Sequence, residues 1–315
     1  MKKLIKQISD FKNRNILVIG DIIVDINTAT KVIGLSAETP TIKAEEIQSD
    51  VSMGGAGNVV SHILALGGSC TFVTVTGNDE EQKAVKNWSP PNLNKIVLKE
   101  ENRKTCVKHR FWIEKNKVKY KHFQVNKSER KDILSETKNK ILEIVKEIKC
   151  DRIILSDYRL GIFKDEGFVE RLISACKANE VYVNGQLSDG RLDYKKFKSA
   201  SLIVINNEES RSIIDWKEIS EVSEILNTNV CVTLGKNGSA ISFKNKVVSV
   251  PAIKVNVNDT CGAGDAFLAC LSLCDSGLEL DEKLKLSNSW AGLSTEILGT
   301  TPPSKTNLIE KIQDF

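Results

Sequence analysis

Apolar positions along this chain fall into short continuous runs separated by segments of helical spacing. "NILVIGD" (15–21) holds a β-branched apolar run that closes on glycine, the pattern of a strand buried on both faces of a parallel sheet. "NVVSHILALGG" (58–68) has helical spacing and a glycine stop, and "CTFVTVTG" (70–77) reads as the next strand. "LSETKNKILEIVKEIK" (134–149) predicts an amphipathic helix and "RIILSD" (152–157) a strand. "EGFVERLISACKANE" (166–180) predicts a helix and "VYVNG" (181–185) a strand. "SLIVINNEE" (201–209) is a strand running into a helix, and "VCVTLG" (230–235) a strand. Only helices are expected after Gly264. This alternation predicts an α/β fold, a doubly wound sheet with covering helices.

Two stretches break the alternation. Residues 30–52 are extended and polar, and residues 103–125 read as a hairpin with "EKN" (114–116) at its turn. They are expected to form a small accessory β sheet, a lid over the C-terminal ends of the core strands, inserted into one domain spanning 1–315. Open α/β sheets bind ligands at those ends.

The hydrophobic share of 41% over 315 residues is enough for a sizeable core. Lys and Arg total 45 against 41 Asp and Glu, a net of +4, and acidic residues interleave with the lysines. That argues for a solvated surface and against a nucleic-acid groove. Eight Cys without a Cys-x-x-Cys pair, beside three His, argue against a zinc site. Cys270 and Cys274, one helical turn apart, read as core, and free buried thiols fit a reducing cytoplasm. Near the N-terminus Leu4, Ile5, Ile8 and Phe11 form one face of a short helix, so no signal peptide is expected there. No run of about 18 apolar residues suggests a membrane span.

The candidate chemistry sits in glycine turns. In "NDTCGAGDAFLACL" (258–271), Gly262, Ala263 and Gly264 precede Asp265 at the mouth of an apolar helix. Asp265 is there either as a helix cap or as a base beside an anion held on the turn's N–H groups. "MGGAGNV" (53–59) is a flexible helix entry, or a place where Gly54 and Gly55 let backbone approach a ligand while Asn58 hydrogen-bonds it. "GDIIVD" (20–25) leaves Asp21 and Asp25 where the first strand ends, as turn caps or as partners for sugar hydroxyls. No Gly-x-Gly-x-x-Gly follows the first strand, and "LGKNGS" (234–239) lacks the first glycine of a P-loop. Along "TCVKHRFWI", Cys106, Lys108, Arg110 and Trp112 share one strand face, and Val107, His109, Phe111 and Ile113 share the other. Lys108 and Arg110 either protect a strand edge or read a phosphate.

Taken in order, "GDIIVD", "GGAGN", "NNEE", "LGKNG" and "DTCGAGDAF" resemble the PfkB-type, ribokinase-like carbohydrate kinases across nearly the whole chain. "LSAETP" (35–40), "RKTCVKHRFWIEKNKVKY" (103–120) and "LSDYRLG" (155–161) resemble the D-glycero-D-manno-heptose 7-phosphate kinase branch in particular. The chain departs from that branch at Gly34, where it has Arg, at Leu160, where it has Lys, and at Asn184-Gly185-Gln186, where it has Asp-Pro-Lys.

The resemblance implies a ribokinase-like fold with a small β lid and an ATP-dependent transfer of phosphate to a sugar hydroxyl. The 1-position of the heptose 7-phosphate, in precursor synthesis for surface polysaccharide, is the first expectation. Another sugar or nucleoside, or a catalytically silent binding protein, is the alternative. Asp265 would be the base and Gly262, Ala263 and Gly264 the anion turn. Asn206, Thr233, Gly235, Gly238 and Asn288 would meet the nucleotide. Asn206 and Glu209 would hold Mg²⁺ through water, or simply cap a helix. Asp259 and "GTTPPS" (299–304) would bind a monovalent cation such as K⁺. The apolar lid face suggests a homodimer. A nucleotidyltransferase domain is not expected within the matched length.

Overall fold

The computed structural model describes residues 1–115, 118–176, 179–185, 194–213, 219–244 and 246–313. Gln186 and the tip of the 103–125 hairpin lie outside them. Helix α1 (Lys2–Asp10) leads into β1 (Asn15–Gly20). β2 (Ile22–Leu35) and β3 (Ile42–Gly55) follow as a long antiparallel pair, then α2 (Ala56–Ala65). Next come β4 (Ser69–Thr76), α3 (Glu80–Asn87), β5 (Leu93–Lys99), β6 (Val107–Lys115) and β7 (Val118–Lys127). The alternation resumes with α4 (Ser135–Glu147), β8 (Arg152–Asp157), α5 (Glu166–Ala175), β9 (Glu180–Gly185) and β10 (Leu202–Asn206). After α6 (Asn207–Ile213), α7 (Ile219–Leu226) and β11 (Val230–Thr233) come β12 (Ser239–Phe243) and β13 (Lys246–Val250). Three helices, α8 (Ala263–Leu273), α9 (Leu280–Ser294) and α10 (Lys305–Gln313), follow β13 among the described residues.

The described strands form two sheets. The larger has the order β13-β12-β11-β10-β9-β8-β1-β4-β5. It is parallel from β11 to β5 and turns antiparallel at the β12–β13 edge. Its two faces carry separate cores. Ile16 and Val18 of β1 pack with α8 residues such as Phe267, and Leu17 and Ile19 pack on the opposite side with Ile141 and Leu172. A run apolar at every position is what such two-sided burial requires.

The smaller sheet has the order β3-β2-β6-β7 and carries the residues expected in the lid. Two details differ from the sequence reading. Asp21 follows the end of the first strand at Gly20, but Asp25 is not at that end: a new strand begins at Ile22, so Asp25 lies inside β2 on the smaller sheet. A side chain at Gly20 would stand 2.5 Å from Ser156 O, so glycine lets the chain turn that corner against β8. The strands also reach further than residues 30–52. Residues 42–50 of β3 are exposed throughout and give no alternation to read. Among the described residues no helix is long and apolar enough to cross a membrane.

Candidate active site

Helix α8 is buried along its length from Asp265 to Leu273. Its sequence, "AGDAFLACLSL", is apolar on all sides and rich in small residues, which suits a helix packed inside the protein. Cys274 Sγ donates to Cys270 O at 3.3 Å, so this pair belongs to the core. The C-terminal carbonyls are closed by the buried Arg152 guanidinium, which donates to Ser272 O and, at 3.0 Å, to Cys274 O. The N-terminus opens on Gly262, a left-handed residue with φ 79°. A side chain there would come within 2.4 Å of the Asn58 amide, so glycine is needed for conformation and for space. The N–H groups of Gly264 and Asp265 have no backbone acceptor among the described residues, as expected in a first helical turn.

Asp265 is 6% exposed and sits in a ring of donors. Asn58 Nδ2 donates to its Oδ2 at 2.7 Å, Asn184 Nδ2 to its Oδ1 at 3.3 Å, and the Tyr158 hydroxyl lies 2.7 Å from both oxygens. Burial pushes its carboxyl up to about 6, against the downward pull of these donors and of the Lys108 charge. None of these bonds caps its own helix. Its three partners come from α2, from the turn after β8 and from β9, the last two at C-terminal strand ends. The amide oxygens of Asn58 and Asn184 are buried and have no partner among the described residues.

Two cavities meet at this helix mouth. One, of about 510 Å³, is lined by Asp265, Tyr158, Asn184, Asn206, Glu209 and the Gly262–Gly264 turn. The other, of about 860 Å³, is lined by Thr233, Gly235, Gly238, Phe267, Asn288 and Gly292, among others. Ala263, Gly264, Thr233, Gly235 and Thr260 border both. A side chain at Gly264 would meet nothing within 4 Å and would project into this open space. Asn288 is tied by its amide to Val250 O at 3.1 Å and Pro251 O at 3.2 Å, fixing the wall of the larger cavity. Asn206 Oδ1 accepts from Glu209 N at 2.8 Å, and Glu209 Oε2 accepts from Asn206 N at 2.7 Å. That is a reciprocal capping box at the start of α6.

On the lid side, Arg110 Nη1 donates to Asp25 Oδ1 at 2.8 Å. Trp112 Nε1 donates to Asn27 on the same face. A side chain at Gly54 would stand 2.1 Å from Asp25 Oδ2, so glycine makes room for that carboxylate. Burial raises the Asp25 carboxyl and Arg110 and Lys108 lower it. Lys108 faces Asp25 across the β2–β6 pair and has no ion-pair partner among the described residues. The two cations are therefore not equivalent. Arg110 is held by Asp25, whereas Lys108 acts electrostatically on both Asp25 and Asp265.

Asp21 falls outside this arrangement. It is 3% exposed and accepts from Tyr158 N at 3.0 Å, Leu160 N at 3.1 Å and Ile162 N at 3.4 Å. Its carboxylate caps the turn after β8, the turn-cap role that the sequence offered beside contact with sugar hydroxyls. Burial, and then the Asp157 carboxylate, push it up. Gly55 has φ 61° and lies against Asp21 O at the entry of α2, where Ala56 N also reaches that carbonyl. Asp259 accepts from Cys261 N at 2.9 Å and Gly299 N at 3.0 Å, joining the α8 turn to the 299–304 loop. Tyr158 was not among the sequence candidates, and Asn184 entered only as a departure. Their signal was position, just beyond or at the C-terminal end of a core strand.

A model of the pfkB family carbohydrate kinases matches residues 13–307. The chain is 28% identical over 316 residues to the Bifunctional protein HldE of a Nitratiruptor species, covering 95% of this chain and 64% of that protein. It is 30% identical over 306 residues to the Bifunctional protein HldE of Helicobacter acinonychis (strain Sheeba), covering 91% of this chain and 64% of that protein. The chain thus spans a little under two thirds of the length of these curated relatives. In fold it matches phosphofructokinase-2 from Escherichia coli in complex with fructose-6-phosphate, with a TM-score of 0.74, 16% identity and coverage of 96% and 99% of the two chains. It also matches Arabidopsis thaliana ribokinase complexed with ribose and ATP, with a TM-score of 0.70, 17% identity and coverage of 95% and 99%.

Proposed function

The chain belongs to the pfkB family of carbohydrate kinases, and from that premise we propose that it phosphorylates D-glycero-D-manno-heptose 7-phosphate at its 1-position, with ATP as donor. The observation that carries this reading is the buried Asp265 at a helix mouth where two cavities meet. Asp265 takes the proton of the acceptor hydroxyl. The Gly262–Gly264 turn holds the phosphate oxygens on its N–H groups. The larger cavity, with Thr233, Gly235, Gly238 and Asn288 in its wall, has the size and apolar character for a nucleotide. Similarity to the HldE proteins over 95% of this chain favours a phosphorylated sugar, as does Lys108, which has no ion-pair partner among the described residues. Gly34, Leu160 and Asn184 favour an uncharged sugar instead. Product analysis against a sugar panel separates the two.

Mg²⁺ would supply charge neutralisation on the phosphates. Among the described residues no group of three His, Cys, Asp or Glu is placed to hold a metal. A divalent ion beside Asn206 and Glu209 would then keep much of its water, as Mg²⁺ commonly does. Chelation with EDTA is expected to stop turnover and added Mg²⁺ to restore it. Gln at 209 can still cap α6, so Glu209→Gln should raise the Mg²⁺ concentration for half-maximal rate while leaving Tm close to wild type. A Tm loss with unchanged Mg²⁺ dependence would leave Glu209 as a cap alone. Asp259 with the 299–304 loop is the place for a monovalent cation, and stimulation of the rate by K⁺ tests it.

The lid face turned away from Asp25 and Arg110 carries the stacked His109, Phe111 and Phe123 rings. Val51, Phe123 and Val125 on it are 54%, 49% and 54% exposed. That apolar surface fits a second copy of the chain packed lid to lid. Sedimentation should give a dimer that Phe123→Lys converts to monomer, and a wild-type monomer would contradict this.

A further inference from the structure

The Tyr158 hydroxyl lies 2.7 Å from Oδ1 and 2.7 Å from Oδ2 of Asp265. A donor equidistant from both oxygens straddles the carboxylate. Asn184 approaches Oδ1 and Asn58 approaches Oδ2. A carboxylate has about four acceptor positions, two on each oxygen; each amide takes one, and the phenol, equidistant from the two oxygens, stands before the remaining one on each. Any hydroxyl that loses its proton to Asp265 must first donate to one of those oxygens. One of the present donors has to yield.

The two amides are poor candidates to move. Asn58 is 1% and Asn184 9% exposed, and Asn58 is also packed against Gly262. Tyr158 is different. Like Asn184 it borders the 510 Å³ cavity, but it is only half-buried and lies just beyond the end of β8 rather than within a strand, so open space lies beside it. Its backbone is pinned by Asp21, which accepts from Tyr158 N. A rotation of the side chain alone would release Asp265 without disturbing the turn.

We propose that Tyr158 discriminates between acceptor and water: its hydroxyl holds the acceptor's place on Asp265 in the empty enzyme, yields it to the sugar hydroxyl, and denies it to water. This deepens, and rests on, the kinase reading given above. The side reaction it suppresses is hydrolysis. A water oxygen forms a bond to the γ-phosphorus and the bond from that phosphorus to the β–γ bridging oxygen breaks. ADP departs with the electron pair, the water proton passes to Asp265, and the products are ADP and inorganic phosphate. The sugar hydroxyl follows the same course. A sugar bound by many contacts can displace the phenol, whereas a lone water has only that one hydrogen bond to gain.

Tyr158→Phe keeps the ring and removes one oxygen atom, leaving a place of about the size of a water molecule. The full-length wild type, Tyr158→Phe and the double variant Tyr158→Phe/Asp265→Asn are compared without any sugar, in Mg²⁺ and ATP. ATP binding is read by calorimetry and ADP release by a coupled assay. Tyr158→Phe should bind ATP like the wild type and release ADP on the order of ten- to a hundredfold faster, the factor that one hydrogen bond to a charged group contributes. The double variant should lose that gain. Equal or slower ADP release with ATP still bound overturns the proposal and leaves the kinase reading standing. A gain that survives in the double variant overturns it too, because the water would then not depend on Asp265. Loss of ATP binding in Tyr158→Phe alone would make Tyr158 structural and overturn it. Absence of ATP binding in the wild type overturns the kinase reading, and this proposal with it.

Discussion

Asp265→Asn is expected to lower kcat by about 10²–10⁴-fold, the usual contribution of a positioned general base, while fold and ATP affinity survive. The amide keeps the size of the carboxylate. It loses basicity, and one of its two ends becomes a donor facing Tyr158 and either Asn58 or Asn184, all of which now donate to it. The same residue sets an acid limit on the wild type. Burial raises its carboxyl to about 6. The base works only when ionised, so the rate should be full above that pH and fall roughly tenfold per unit below it. Circular dichroism and ATP calorimetry on the variant, with steady-state rates across pH, check each part. A variant that keeps more than half of the wild-type kcat would remove Asp265 from the base role.

Lys108→Ala is expected to raise KM for a phosphorylated acceptor by roughly 10- to 100-fold, the effect of losing one charged hydrogen bond of about 1.5–3 kcal/mol, with KM for ATP little changed. Arg110→Ala should behave differently. Arg110 and Asp25 form a largely buried pair, with side chains 13% and 5% exposed. Removing one member of a buried pair commonly costs about 3–5 kcal/mol, because the other charge remains without compensation. The expected signature is a lower Tm together with impaired acceptor use. Equal effects of Lys108→Ala on acceptor and ATP would show that Lys108 does not read the acceptor.

The contrast between those two cations shows where sequence reasoning stopped. Strand alternation placed Lys108 and Arg110 on one face, and the structure keeps Arg110 and Trp112 on the face of Asp25 and Asn27. Alternation carries no information about which cation an acidic neighbour claims. That depends on the parallel pairing of β2 with β6, more than 80 residues apart in sequence. The core strands were legible because burial on both faces makes them apolar at every position, as in β1 and β8. The lid strands were only partly so. β3 is exposed over residues 42–50, and the β12–β13 edge is short.

The helix mouth was legible from "CGAGDAF", because glycine conformation and a carboxylate before an apolar run are local features. The ring around Asp265 was not. Asn58 reaches it across 207 positions, Tyr158 across 107 and Asn184 across 81. The departure at Asn184 looked like a lost cation site nearby. In the structure its amide donates to Asp265, where a carboxylate would have repelled it. The groups that Asp21 caps were hidden for a related reason. A motif shows which residue is present, but not that three backbone N–H groups after β8 converge on it.

The most direct measurement is mass-detected product formation from ATP and Mg²⁺ with a panel of acceptors: D-glycero-D-manno-heptose 7-phosphate, the free heptose, fructose 6-phosphate, ribose and adenosine. The expected result is one added phosphoryl group on the heptose 7-phosphate, at a higher kcat/KM than on any other acceptor. Efficient phosphorylation of a free sugar with sugar phosphates ignored would contradict the proposed acceptor, and no phosphorylated product from any acceptor would contradict the catalytic reading itself.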